Sequence, residues 1–229
     1  MKLSVFLLSY NKNGWVQEAL DSIFAQDYED YELWVIDNST DNVTRDTLRA
    51  YLEDKNDHRV LWREEDVPAE VRRNLYVPCW LLNNYYQQAT GEAILFLSDD
   101  DLFVPGLFGA VAKAFEDNTD WNALYYHLAR TTAHAPGQGT NWDDRFTGIP
   151  ADIIRGNGEV DCCIDACQIA YRTHILAEFG PPYFSEAMQH ANHSDGVHLQ
   201  QIAERHDFHP LPVCGVIHRH TPISTWSRG

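Results

Sequence analysis

The 229 residues predict an α/β fold, a mostly parallel central sheet flanked by helices. Three observations carry this expectation. Continuous apolar runs rich in β-formers alternate with stretches of helical periodicity. The connections between them are short, which favours parallel, right-handed βαβ units. Each early apolar run also stops at polar residues, as strands do where their carboxyl ends line a crevice.

The elements follow in order. Lys2–Ser9 is a buried strand, followed by the turn Asn11-Lys12-Asn13-Gly14. Trp15, Val16, Ala19, Leu20, Ile23 and Phe24 then recur at helical spacing. Tyr31–Ile36 is a second strand; Asp37-Asn38-Ser39-Thr40 suits a helix N-cap, and Val43, Leu48, Tyr51 and Leu52 continue the helix. Val60–Arg63 is a short third strand, and Pro78–Thr90 a helix that starts at a proline and stops at Gly91. Ala93–Leu97 forms a fourth strand running into Ser98-Asp99-Asp100-Asp101. Beyond it the pattern predicts a helix over Pro105–Asn118, a strand over Ala123–Arg130 and a long loop over 132–158. A strand at Asp165–Arg172, a short helix at Thr173–Phe179, a helix at Ser194–Arg205 and a last strand at Pro212–His218 complete the chain. No linker interrupts it, so residues 1–102 and 103–229 are expected to share one sheet in one domain. Ser9–Asn11, Asp37–Ser39 and Asp99–Asp101 all fall at strand carboxyl ends, so they should converge, and 1–102 reads as a nucleotide-binding half.

Charge narrows the partners. With 17 basic and 34 acidic residues the net charge is −17, and this disfavours a polyanion held by counterion release. The distribution is uneven: residues 1–120 hold 10 of the basic and 23 of the acidic side chains, while ten of the eleven histidines follow residue 120. An apolar share of 44% is enough to build a core. The amino terminus lacks the apolar length of a signal peptide, and no run spans a bilayer. Five cysteines, an odd number without framework spacing, fit a reduced, cytoplasmic setting. Cys162, Cys163 and Cys167 lack paired Cys-x-x-Cys knuckles, so buried thiols are the better reading than zinc.

The strongest local signal is the aspartate triplet. Three adjacent carboxylates repel one another unless a cation or donors compensate. If the strand geometry continues, Asp99 and Asp101 face the same side and offer hard oxygens to Mg²⁺ or Mn²⁺, with positions left for phosphates. A polar turn or a helix cap is the plainer alternative.

Four ordered segments resemble family 2 glycosyltransferases. They are Ser4-Val5-Phe6-Leu7-Leu8-Ser9-Tyr10-Asn11, the stretch Ala19–Tyr28, Leu33-Trp34-Val35-Ile36-Asp37-Asn38-Ser39-Thr40, and Ala89-Thr90-Gly91 continuing to the DxD of Asp99 and Asp101. The resemblance covers about 100 residues and implies a GT-A fold, a nucleotide-sugar donor and a divalent cation, Mn²⁺ or Mg²⁺. It places Ser9, Tyr10, Asn11 and Asp37 at the nucleoside, with Asp37 accepting from a base N–H or a ribose hydroxyl. It places Asp99 and Asp101 on the cation, and His218 or His220 as a further ligand. A basic residue, Arg219, is expected near the diphosphate, although strand alternation turns it away from the two histidines. Arg228 is a candidate lid over the same group. Asp195, in His193-Ser194-Asp195-Gly196 at a helix start, is the candidate base that deprotonates an acceptor hydroxyl. The Glu that the family often carries before it is Ser194 here, and an N-cap is the competing role.

The implied reaction moves one sugar, with inversion, from a UDP-sugar to a glycan, protein, small molecule or modified base. QxxRW, the signature of processive synthases, is missing. So is the G-x-G-x-x-G of a dinucleotide enzyme, since Ser9-Tyr10-Asn11-Lys12-Asn13-Gly14 occupies that place. A pyrophosphorylase wants a glycine-rich, basic first loop. Two rivals remain: an inactive GT-A module that binds nucleotide or glycan, and a viral-type enzyme acting on hydroxymethylated bases, for which Arg72-Arg73 is a small local patch. Trp80, Trp121, Trp142 and Trp226 are candidate sugar-stacking platforms, with core packing the commoner role.

Overall fold

A computed structural model describes residues 1–140, 153–154, 160, 164–190 and 194–222. Arg228, Trp142, Trp226, Cys162, Cys163 and His193 lie outside the described residues, as does most of the expected loop 132–158. The strands are β1 Leu3–Ser9, β2 Tyr31–Asp37, β3 Val60–Glu64, β4 Ala93–Ser98, β5 Leu102–Phe103, β6 Ala123–Thr132, β7 Ile169–Arg172 and β8 Phe208–His220. The helices are α1 Trp15–Phe24, α2 Asn42–Lys55, α3 Ala69–Asn74, α4 Val77–Tyr85, α5 Leu107–Asp117, α6 Leu176–Phe179 and α7 Ser194–Ala203. All eight strands form one sheet in the order β3-β2-β1-β4-β7-β6-β8-β5. Pairing is parallel from β3 through β4 and between β6 and β8, and antiparallel where β7 and β5 join. The sheet is therefore continuous across residue 102, as expected. No helix among the described residues is long and apolar enough to cross a membrane.

Alternation along the strands sorts the core into two layers. Leu3, Val5 and Leu7 of β1 pack with Leu33 and Val35 of β2 under Val16, Leu20 and Ile23 of α1, Leu48 of α2, and Phe108 and Phe115 of α5. Phe6, Trp34 and Ile36 turn the other way, onto Leu81 and Leu82 of α4 and Leu199 and Ile202 of α7. Burial on both faces is why these strands read as unbroken apolar runs.

Several elements differ from expectation. The N-cap of α2 is Asp41, whose Oδ1 accepts from Thr44 N at 2.7 Å, one residue past the predicted polar run. The helix predicted over Pro78–Thr90 is α4 followed by a single 3₁₀ turn, Tyr86–Gln88. The strand predicted from Asp165 begins at Ile169, because Asp165 instead caps a 3₁₀ turn, Ala166–Gln168, accepting from Cys167 N at 2.9 Å. The last strand is far longer than Pro212–His218. Pro210 lies opposite Tyr125 of β6, and Pro212 falls where the register with β6 shifts, an irregular stretch of the kind that tolerates a missing N–H.

At the amino-terminal edge of the parallel strands, Glu32 is buried in a closed polar cluster. Its carboxylate accepts from Ser4 Oγ at 2.6 Å, Thr90 N at 2.7 Å, Trp34 Nε1 at 3.2 Å and Lys2 Nζ at 2.9 Å. Burial pushes its pKa up, but the hydrogen bonds from Ser4, Thr90 and Lys2 outweigh that and hold it at about 2, below the ordinary 4.5. A depressed carboxylate stabilises the fold above its unfolded pKa and loses that contribution as pH falls. Glu32 should thus contribute about 3 kcal/mol near neutrality. That contribution should fade between about pH 4.5 and 2. In urea unfolding against pH, Glu32→Gln is expected to be less stable near neutrality and to converge on the wild type across this window. A constant difference between the two proteins would exclude the linkage.

Candidate active site

The carboxyl ends of β1, β2 and β4 meet at one place, as the topology demands. Asn11, in the left-handed region at φ 53°, reverses the chain after β1. Its side chain joins two loops: Oδ1 accepts from Thr40 N at 2.8 Å and Asp41 N at 3.2 Å, and Nδ2 donates to Thr40 Oγ1 at 3.0 Å. Ser39 Oγ accepts from Asn11 N at 2.8 Å and donates to Asp37 Oδ1 at 2.6 Å. Asp37 is fully buried, and its Oδ2, like the Ser9 hydroxyl, has no hydrogen-bond partner among the described residues. Such groups cost stability unless something else satisfies them. Tyr10 is half exposed with the Arg72 guanidinium 5.5 Å from its ring centroid, and Arg72 also donates to Asn38 O at 2.8 Å. Arg72 thus belongs to the crevice, a placement that its reading as one half of a basic surface pair did not reveal.

The aspartate triplet is buried, and its members face different partners. Asp99 Oδ2 accepts from Tyr10 N at 2.8 Å. The ammonium of Lys12 lies 3.0 Å from Asp99 Oδ1 and 2.8 Å from Asp100 Oδ2, and Thr221 Oγ1 donates to the latter at 3.0 Å. Asp101 sits at the start of β5, where the pairing of Leu102 with Ile217 brings it opposite His218. Asp101 Oδ1 accepts from Arg219 N at 2.8 Å, and Oδ2 lies 3.0 Å from His218 Nδ1. A turn at Asp99–Asp100 ends the strand alternation, so the pair that shares one cation is Asp99 with Asp100.

Burial raises the pKa of Asp99 and of Asp101, despite Lys12 beside the first and His218 beside the second. Burial works against the charge of Lys12, yet Asp99 and Asp100 hold its pKa above the ordinary lysine value. For His218 too, burial is outweighed, and Asp101 raises its pKa. His220 is exposed, its ring centroid 5.1 Å from that of His218, and burial together with His218 lowers its pKa.

Arg219 corrects an expectation. Its side chain is 0% exposed and is engaged beneath the triplet by protein groups. Nε donates to the Asp100 carbonyl, Nη1 to Glu18 Oε2, and the guanidinium lies 4.7 Å from the ring centroid of Trp15. Alternation along β8 turns it inward while His218 faces Asp101. Its role is to fix the triplet from below. Trp80 and Trp121 pack against the core, Trp121 stacked on His209 at 4.2 Å.

Asp195 lies in the first turn of α7, and its Oδ2 accepts from Ala166 N at 3.3 Å. The next residue, Cys167, places its Sγ 3.8 Å from Asp101 Oδ2, so one 3₁₀ turn connects Asp195 to the triplet. Burial, then the charge of Asp165, raises the pKa of Asp195. A small void beside it is lined by Phe96, Tyr171, Phe184 and His198.

The donors present suit a divalent cation. Asp101 and His218 offer one oxygen and one nitrogen, a set Mn²⁺ accepts. Among the described residues no group of three or more His, Cys, Asp or Glu is gathered for a metal.

The fold is of the GT-A type, and comparison with known proteins gives the family. The profile of glycosyl transferase family 2 matches residues 4–163, and the chain belongs to that family. It is similar to "Protein CgeD" of Bacillus subtilis (strain 168), 24% identical over 92% of this chain and 48% of the relative. The chain thus spans about half the length of the curated relatives it matches over most of its length. Among solved structures, Staphylococcus aureus TarS 1-349 in complex with UDP-GlcNAc aligns over 100% of this chain and 61% of its own, with TM-score 0.64 and 20% identity. The mannosyltransferase PcManGT from Pyrobaculum calidifontis, in complex with GDP-Man and Mn²⁺, aligns over 95% and 56%, with TM-score 0.63 and 18% identity.

Proposed function

We propose that this glycosyltransferase moves one sugar from a UDP-sugar to a hydroxyl of an acceptor, with inversion and with the help of a divalent cation. The observation that carries the reading is the junction at β5 and the Ala166–Gln168 turn, which links the Asp99–Asp101 triplet, His218 and Asp195. In this reading Tyr10, Arg72 and the unpartnered Asp37 oxygen receive the nucleoside, with Ser9 and Asn11 shaping the loop around it. Asp101, His218 and, once it is freed, Asp99 hold the cation, with His220 at its rim; the cation, when bound, neutralises the departing nucleotide diphosphate. Asp195 takes the proton from the acceptor hydroxyl as that oxygen attacks the anomeric carbon. Residues 1–102 hold the donor and 103–229 present the acceptor, a glycan, protein, small molecule or modified base. Five cysteines, an odd number without framework spacing, support a reducing, cytoplasmic setting.

That a neighbour of the same fold is bound to UDP-GlcNAc, and another to GDP-Man and Mn²⁺, supports the donor class and the cation. Calorimetry with a panel of UDP- and GDP-sugars, with and without Mn²⁺, tests the reading. Binding of a UDP-sugar that strengthens at least about tenfold with Mn²⁺ is expected. Binding of none of the panel would leave the inactive-module rival in its place.

A further inference from the structure

We propose that Lys12 is a resident counter-cation of the donor site. It occupies Asp99 and Asp100 while donor is absent, and releases Asp99 to a divalent cation only when an anionic donor draws its ammonium away. The inference rests on the donor reading above and adds an order to it: nucleotide and cation load together, not the cation first.

Four observations support this order. The Lys12 ammonium is within 3.0 Å of one oxygen of each carboxylate, and its side chain is only 14% exposed. The other Asp99 oxygen is engaged by Tyr10 N, so Oδ1 is the oxygen that a departing Lys12 would free. Asp101 is held separately by His218 and Arg219 N, so it presents no competing place for the ammonium. The backbone of Lys12 is anchored, its carbonyl accepting from Trp15 N and Val16 N at 3.1 Å at the start of α1. Only the flexible side chain has to move.

A cation that approaches the donor-free triplet therefore meets an ammonium already in contact with two of its carboxylates. Like charges at such range repel strongly where water is largely excluded. A nucleotide diphosphate reverses the balance, because it offers the ammonium new oxygens and the cation new ligands at once. Cation and nucleotide must then strengthen each other's binding by the same factor.

The test is Mn²⁺ binding to the whole chain, followed by the electron paramagnetic resonance of free Mn²⁺, without nucleotide and with UDP. Wild type should bind Mn²⁺ weakly alone. Lys12→Met should bind it about 10–100-fold more tightly without nucleotide and gain correspondingly less from UDP. Lys12→Arg, which keeps the charge, should behave as wild type, and Lys12→Gln replaces Lys12→Met if the latter does not fold. Equal Mn²⁺ affinity in wild type and the neutral variants without nucleotide, including no binding in either, overturns the proposal. If UDP changes nothing in any protein, the donor reading fails, while the Mn²⁺-only comparison still decides the role of Lys12.

Discussion

An Asp195→Asn variant is expected to lose about 10²–10⁴-fold in sugar transfer while binding the nucleotide sugar as wild type does. The two carboxamide heteroatoms keep the shape of the carboxylate and still offer an oxygen to Ala166 N, so α7 and the 3₁₀ turn stay in register. What disappears is the ability to take a proton. The environment favours that use. Burial, reinforced by Asp165, raises the carboxyl pKa above the ordinary aspartate value, which makes the ionised form a stronger base. The sign of the pH dependence follows. The base works ionised, so transfer should fall as pH drops through the raised pKa, and the acid limb of the rate profile should lie higher than an ordinary aspartate would put it. Steady-state rates on the wild type against pH, with calorimetric donor affinity on both proteins, check the two claims. Retained turnover in Asp195→Asn would leave this residue as a structural tie between the first turn of α7 and Ala166 N, and nothing more.

Much of this site was legible in the chain because the information is local. Ser9, Asp37 and Asp99 each end an apolar run, and parallel strands bring such ends together whatever the loops do. The relations between distant segments were not legible. Leu102–Phe103 is too short for any periodicity, yet its pairing with Val216 and Ile217 is what sets Asp101 against His218. Pro212 opens the predicted last strand, whereas the register shift with β6 that accommodates it is a property of the pairing and not of the local sequence. Lys12 sits in a turn whose composition says loop; that its ammonium closes on Asp99 and Asp100 depends on the β1–β4 pairing. The direction of Arg219 followed from alternation, whereas its burial against Trp15 and Glu18 required the packed structure.

That burial makes Arg219→Met the substitution with the largest expected cost in stability. Removing one member of a buried, hydrogen-bonded charge pair typically costs about 3–5 kcal/mol, mostly because the partner left behind is unpaired. Here Glu18 is partly exposed and can recover water, so the lower end of that range is expected. The methionine chain still covers the Trp15 ring, but the Asp100 carbonyl loses its donor and the turn that holds Asp99 and Asp100 loses its floor. Asp101 keeps its bond from the backbone N–H of residue 219, so its partnership with His218 should survive. Nucleotide binding should therefore weaken in step with the loss of the Asp99–Asp100 turn, more than in Glu18→Gln, which leaves the guanidinium on the Asp100 carbonyl. Arg219→Lys should not restore stability, because one ammonium cannot reach Glu18 and the Asp100 carbonyl in the fixed fork of a guanidinium. A double-mutant cycle over Glu18→Gln and Arg219→Met, read by urea unfolding, isolates the pair term. If Arg219→Met melts as wild type and binds nucleotide as tightly, the triplet is held by β5 and β8 alone, and the buried guanidinium is only a filler of the space above Trp15.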